Sequence, residues 1–154
     1  MSSMETTEFV LVGVIMKRLL SGEQTNGQFC LFENFSGGNT KTPIHVHAKD
    51  DEAVYIVEGE LTVVVNGEGH RLTAGQSIFL ERGVPHQLMN MSGRPARYII
   101  IDTPALFDKF LEETGREHRR GEVVGPPTPE ELDRLRTASP KFGITLLPDW
   151  PAEN

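Results

Sequence analysis

The chain has 154 residues, 38% of them hydrophobic and 24% charged, with a formal net charge of −7, a make-up that fits one folded domain and excludes a wholly disordered chain. The acidic balance, with no block of Lys or Arg long enough to follow a phosphate backbone, argues against partners such as nucleic acid or an anionic membrane. One cysteine, Cys30, excludes an internal disulfide and a CxxC zinc site, and fits a reducing, cytoplasmic setting.

Taken in chain order, Phe9 to Met16 is too short to span a bilayer, and Glu5 and Glu8 are the wrong flank for a signal peptide, so Phe9 to Ile15 is expected as a strand. Gln28 to Phe35, Thr42 to His47, Ala53 to Glu58 and Glu60 to Val65 follow as short strands separated by turn residues. Asn66-Gly67 supplies the positive φ angles of a type I′ hairpin turn into His70-Arg71-Leu72. Ser77 to Leu80, His86 to Met91 and Arg97 to Ile101 complete the set, and Tyr98-Ile99-Ile100-Ile101, apolar on both faces, predicts a strand covered on both sides. Many short strands of this spacing predict an all-β sandwich or barrel.

The pattern changes at Thr103-Pro104, read as an N-cap and first helical position before a helix whose apolar face is Leu106, Phe107, Phe110 and Leu111, ending at Gly115. Residues 116–127 read as a polar loop with Arg116, Arg119 and Arg120 in solvent, and Thr128 to Glu131 as a capping box opening a second short helix that stops before Pro140. The apolar tail, with Phe142, Ile144, Leu146, Leu147 and Trp150, is expected to dock on its own domain or on a second copy, and a homodimer is the expected assembly. One domain over 1–154 results, with its barrel at about 9–102 and a helical extension and tail at about 103–154.

Chemistry concentrates in four side chains. His45 and His47, two apart on a predicted strand, leave the same face with Cα atoms about 6.6 Å apart, close enough for both imidazoles to reach one ion. After the polar turn Ala48 to Asp51, Glu52 opens the next strand and returns a carboxylate to that face; His86 opens a later one. Three nitrogens and one anionic oxygen suit a single divalent transition metal ion (Fe, Mn, Co, Ni, Cu or Zn), and in an octahedral site two positions stay open to substrate or O₂. His70 and His118 read as ordinary surface histidines, Cys30 as a small core residue, Tyr55 and Tyr98 as core. Val54 and Ile56 are expected to point inward with Glu52, with Asn90 as a polar contact in the pocket and Gln87, Met89 and Met91 facing outward.

These residues carry a resemblance to the cupin superfamily. His45-Val46-His47, Glu52 and Gly59 match its first motif, and Gly75, Gly83, His86 and Asn90 its second, with Asn39 and Glu81 standing where glycine and proline are usual. The resemblance implies a double-stranded β-helix, or jelly-roll, barrel with one ion on His45, His47, Glu52 and His86. Gly59, Gly75 and Gly83 serve its tight turns. The short helical extension resembles the small quercetin-dioxygenase-like cupins, which implies a metal-dependent dioxygenase acting on an enolisable or phenolic, flavonol-like small molecule, with Glu52 as the catalytic base. Redox-neutral isomerase, lyase or cyclase chemistry on the same site is the first alternative, and a non-enzymatic small-molecule or metal-binding module the second.

Overall fold

Cys30, Phe32, Asn34 and Ser36 are buried while Leu31, Glu33 and Phe35 between them are less so, the alternation of a strand with one face indoors. The computed structural model, which describes residues 7–148, builds a barrel from such strands. In chain order they are β1 (Glu8–Leu11), β2 (Val14–Leu20), β3 (Cys30–Ser36), β4 (Thr40–Lys41), β5 (Ile44–His47), β6 (Asp51–Glu58) and β7 (Glu60–Val65). Then come β8 (Glu68–Thr73), β9 (Ser77–Leu80), β10 (His86–Asn90), β11 (Ala96–Thr103), β12 (Arg116–Glu117) and β13 (Ile144–Leu147). One sheet has the order β12-β1-β2-β3-β11-β6-β9 and the other β13-β5-β10-β7-β8, with β4 beside β10 and all pairings antiparallel. The fold is the expected double-stranded β-helix.

Phe32, Val54, Ile56, Leu61 and Val63 fill the space between the sheets, and Leu111 joins them from helix α1 (Phe107–Thr114). Helix α2 (Pro129–Ala138) opens on the predicted capping box, with Thr128 and Glu131 bonding each other's backbone N–H. Its Leu135 reaches the same core. The two helices therefore close one end of the barrel.

Several expectations change. The single strand expected at Phe9 to Ile15 is a hairpin: Leu11 pairs with Val14 across Val12-Gly13, both at positive φ (44° and 78°). Gly13 marks this turn, while Val12, a poor turn former, hides it. The run Tyr98-Ile99-Ile100-Ile101 is covered on one side only; Tyr98 and Ile100 face inward and Ile101 is exposed, as are Tyr55 and Phe79 on the neighbouring strands. Tyr55 is thus no core residue. Thr103 ends β11, its hydroxyl donating to the Gln28 carbonyl, and Thr103-Pro104 is a cis peptide; α1 starts later, after Leu106, without a side-chain cap.

Arg116 is no free loop residue, because it opens β12 and forks onto Glu122, with a further contact to Glu131. The tail finds its place at home: Ile144 to Leu147 pair with His47 to Ile44 along the edge of β5. Trp150 lies outside the described residues.

Candidate metal centre

Strand β5 presents His45 and His47 inward, and the register places His86 of β10 directly opposite His45. The three rings form a triangle, with centroids 5.1 Å (His45–His47), 4.4 Å (His45–His86) and 5.4 Å (His47–His86) apart. One ligand atom from each lies within 4.8 Å of the others. Gly83, at φ 82°, turns the chain so that its N–H donates to the His47 carbonyl (2.8 Å), which ties the loop before His86 to β5.

Each ring is oriented through Nδ1. That atom faces the Pro43 carbonyl at 2.7 Å in His45, the Asp50 carboxylate at 3.0 Å in His47 and the Val84 carbonyl at 3.3 Å in His86. All three partners are acceptors, so Nδ1 carries the proton and Nε2 keeps its lone pair. The Nε2 of His86 is buried and has no hydrogen-bond partner among the described residues. A buried nitrogen lone pair left without a donor, with two more beside it, is what a divalent cation satisfies. The Asp50–His47 pair has the arrangement of a carboxylate that fixes a metal-ligating imidazole.

Electrostatics support that reading. Burial, with the neighbouring His86 and His47, pushes His45 well below the ordinary imidazole range, and burial likewise lowers His86, so both are kept in the ligating neutral form. Burial works the same way on His47, but its bond to Asp50 and the charges of Glu52 and Asp50 outweigh it and leave its pKa raised. Glu52 is buried on β6, with a carboxylate oxygen 4.0 Å from His47 Nε2. The three histidines are therefore brought together, and Glu52 joins them at His47.

Beside the site lies an apolar cavity with about 60 Å³ of room for water-sized groups. Val14, Leu88, Ile100, Phe107, Phe110 and Leu135 are among its walls, and His45, His47 and Glu52 lie on its border. Phe107 stands 6.2 Å from the His47 ring. The helix stripe read from the sequence as core thus also forms part of the pocket wall.

Residues 31–102 match the family model described as the cupin domain. The barrel is a cupin domain. This cupin is 33% identical over 95 residues to the HTH-type transcriptional regulator PuuR of Escherichia coli K12, a match covering 62% of this chain and 51% of that protein. It is 38% identical over 83 residues to the tetracenomycin polyketide synthase protein TcmJ of Streptomyces glaucescens, covering 54% of this chain and 56% of that one. The matched part of the cupin thus spans about half the length of these curated relatives. Among solved structures, a sugar phosphate isomerase of the cupin superfamily from Silicibacter pomeroyi aligns with TM-score 0.53 and 26% identity over 59% of each chain.

The cupin site also differs from its sequence reading. Asn90 is buried but committed to the fold, donating to Ser36, Gly37 and Arg94 and accepting from Ser92, so it holds the loop after β10 and does not border the cavity. Gln87 is buried, not outward, and donates to the Thr42 carbonyl. Besides the metal-site residues, the polar residues that do border the cavity include Asn34 and Thr42. Asp50 and Asp102 went unread: Asp50 sat in what passes for a polar turn, and Asp102 meets Glu52 only through the β6–β11 register. Cys30 is a core residue as expected, its thiol pushed up by burial.

Proposed function

We propose that this cupin is a metal-dependent enzyme acting on a small, largely apolar substrate that carries an enol, phenol or enolisable ketone. The observation that carries the reading is the cluster of three imidazoles, with Glu52 beside His47, at an apolar cavity whose border holds His45, His47 and Glu52. His45, His47, His86 and Glu52 would hold the ion, which supplies Lewis acidity toward the substrate oxygen. Glu52 takes the proton from the hydroxyl or from the carbon beside the carbonyl, and returns it at another atom in a redox-neutral reaction. The apolar walls exclude water and seat the carbon skeleton. Similarity to a polyketide synthase protein and to an isomerase supports substrates rich in enolisable carbonyls and a redox-neutral outcome. In the oxidative form, that of a quercetinase-like dioxygenase, O₂ is the co-substrate and both its atoms enter the product.

The test is proton exchange at the substrate carbon, followed by NMR in deuterated water under anaerobic conditions, with 1,3-diketones and polyphenols as probes. Metal-dependent exchange that Glu52→Gln abolishes while metal stays bound is the expected result. Oxygen uptake with the same probes then separates the two forms. Absence of both exchange and uptake across Fe, Mn, Co, Ni and Zn forms would overturn the enzymatic reading. The likeness to a transcriptional regulator favours a second reading, a module that binds metal or ligand without turnover; in that case the probes bind and exchange no proton.

A further inference from the structure

Asp102 stands last on the inward face of β11, directly opposite Glu52 of β6. It is fully buried, and neither of its carboxylate oxygens has a hydrogen-bond partner among the described residues. Such a group is costly unless a proton or a cation meets it. Among the described residues no Lys or Arg does so. What does face it is Glu52 and His47: one ligand atom from each of His47, Glu52 and Asp102 lies within 4.8 Å of the other two. His47 belongs equally to the triangle of histidines, so the two groups share a corner.

We propose that Asp102 is a fifth protein ligand, so that the centre binds its ion with three imidazoles and two carboxylates. The inference rests on the metal reading of the site and goes beyond its four residues. Two chemical consequences follow. A pair of carboxylates neutralises a dication and shifts preference toward the harder, oxygen-seeking Mn and Fe, away from Zn. In an octahedron, five protein ligands leave one open position, so the substrate binds through one oxygen and not as a two-oxygen chelate.

In the ion-free fold the Asp102 carboxyl has only its fellow acid Glu52 to meet it. Its backbone is paired with Cys30 and Glu52 in the sheet, its carbonyl is also approached by the weak Cys30 thiol donor at 3.9 Å, and its side chain makes no ion pair with a Lys or Arg among the described residues. Replacing it with asparagine keeps the side chain's size and opens no cavity. A ligand role and a structural role therefore predict opposite effects on the ion-free protein.

The experiment compares wild type with Asp102→Asn and Asp102→Leu, each stripped of metal and then titrated with Mn(II) and Co(II) against a chromophoric chelator, with melting curves taken before and after loading. Both ion-free variants should melt no lower than wild type, while Mn(II) affinity falls at least about tenfold, as loss of even an outer partner costs a metal site, and the melting rise on loading shrinks. The visible bands of the Co(II) form should intensify as coordination number drops. Affinities within twofold of wild type with unchanged Co(II) bands would overturn the proposal. So would ion-free variants that both melt well below wild type, since that marks a structural carboxyl. A wild type that binds no metal sinks the proposed function as well, whereas wild-type-like binding in the variants sinks only the role of Asp102.

Discussion

Asp50 illustrates how one buried side chain sets the chemistry of another. Its carboxylate bonds His47 Nδ1, which fixes the ring and leaves Nε2 for the ion. Asp50→Asn is predicted to keep the fold and to lower metal affinity about 10–100-fold, measured by chelator competition. His118 gives a prediction in pH. Burial opposes its charging, but the Glu8 carboxylate and the Glu122 carbonyl outweigh that and raise its pKa. A base raised on folding stabilises fully below its ordinary value and loses that contribution as pH rises through the raised one. Wild type should therefore lose stability as pH rises from the ordinary imidazole range through the raised pKa of His118, a loss that His118→Gln does not show, read as the difference in melting temperature. Equal pH profiles would remove the assigned role.

At the scale of elements, the corner between β6 and β7 depends on Gly59. Its φ is 78°, and an added Cβ would sit 2.5 Å from the Pro95 carbonyl oxygen. Gly59→Ala should cost at least about 1–2 kcal/mol in denaturant unfolding, from the left-handed backbone alone. Helix α1 roofs the cavity with Phe107, which packs edge-on to Phe32 at 5.6 Å. Phe107→Ala should cost about 2–3 kcal/mol, somewhat below the about 3–5 of a fully buried phenylalanine, and widen the pocket. Local signals such as Asn66-Gly67, the Thr128–Glu131 box and the His45-Val46-His47 spacing were legible in the sequence because each is written within a few residues. Val12-Gly13 was not, since a β-branched residue at positive φ contradicts its own propensity. Nor was the pairing of Asp102 with Glu52, which exists only once β11 lies beside β6. Beside Asn39, which stands where the motif usually has glycine, Gly38 makes a close approach: a Cβ there would meet the Gly93 backbone at 2.4 Å.

For the molecule as a whole, two sheets converge on one centre: β5 and β10 bring the histidines, β6 and β11 the carboxylates. The C-terminal elements then cover the cavity they did not build, with Phe107, Leu135 and Ile144 on its walls and β13 sealing the edge of β5. No helix among the described residues is long and apolar enough to cross a membrane. The central claim is that this arrangement exists to hold an ion, and elemental analysis of protein purified without a metal-affinity step tests it most directly. Wild type should carry about one transition-metal ion per chain, the stoichiometry of a single closed donor set, and His86→Ala, which removes the unpartnered nitrogen at the centre, should carry almost none while keeping its fold. Equal metal content in the two proteins, or none in wild type after reconstitution, would contradict it.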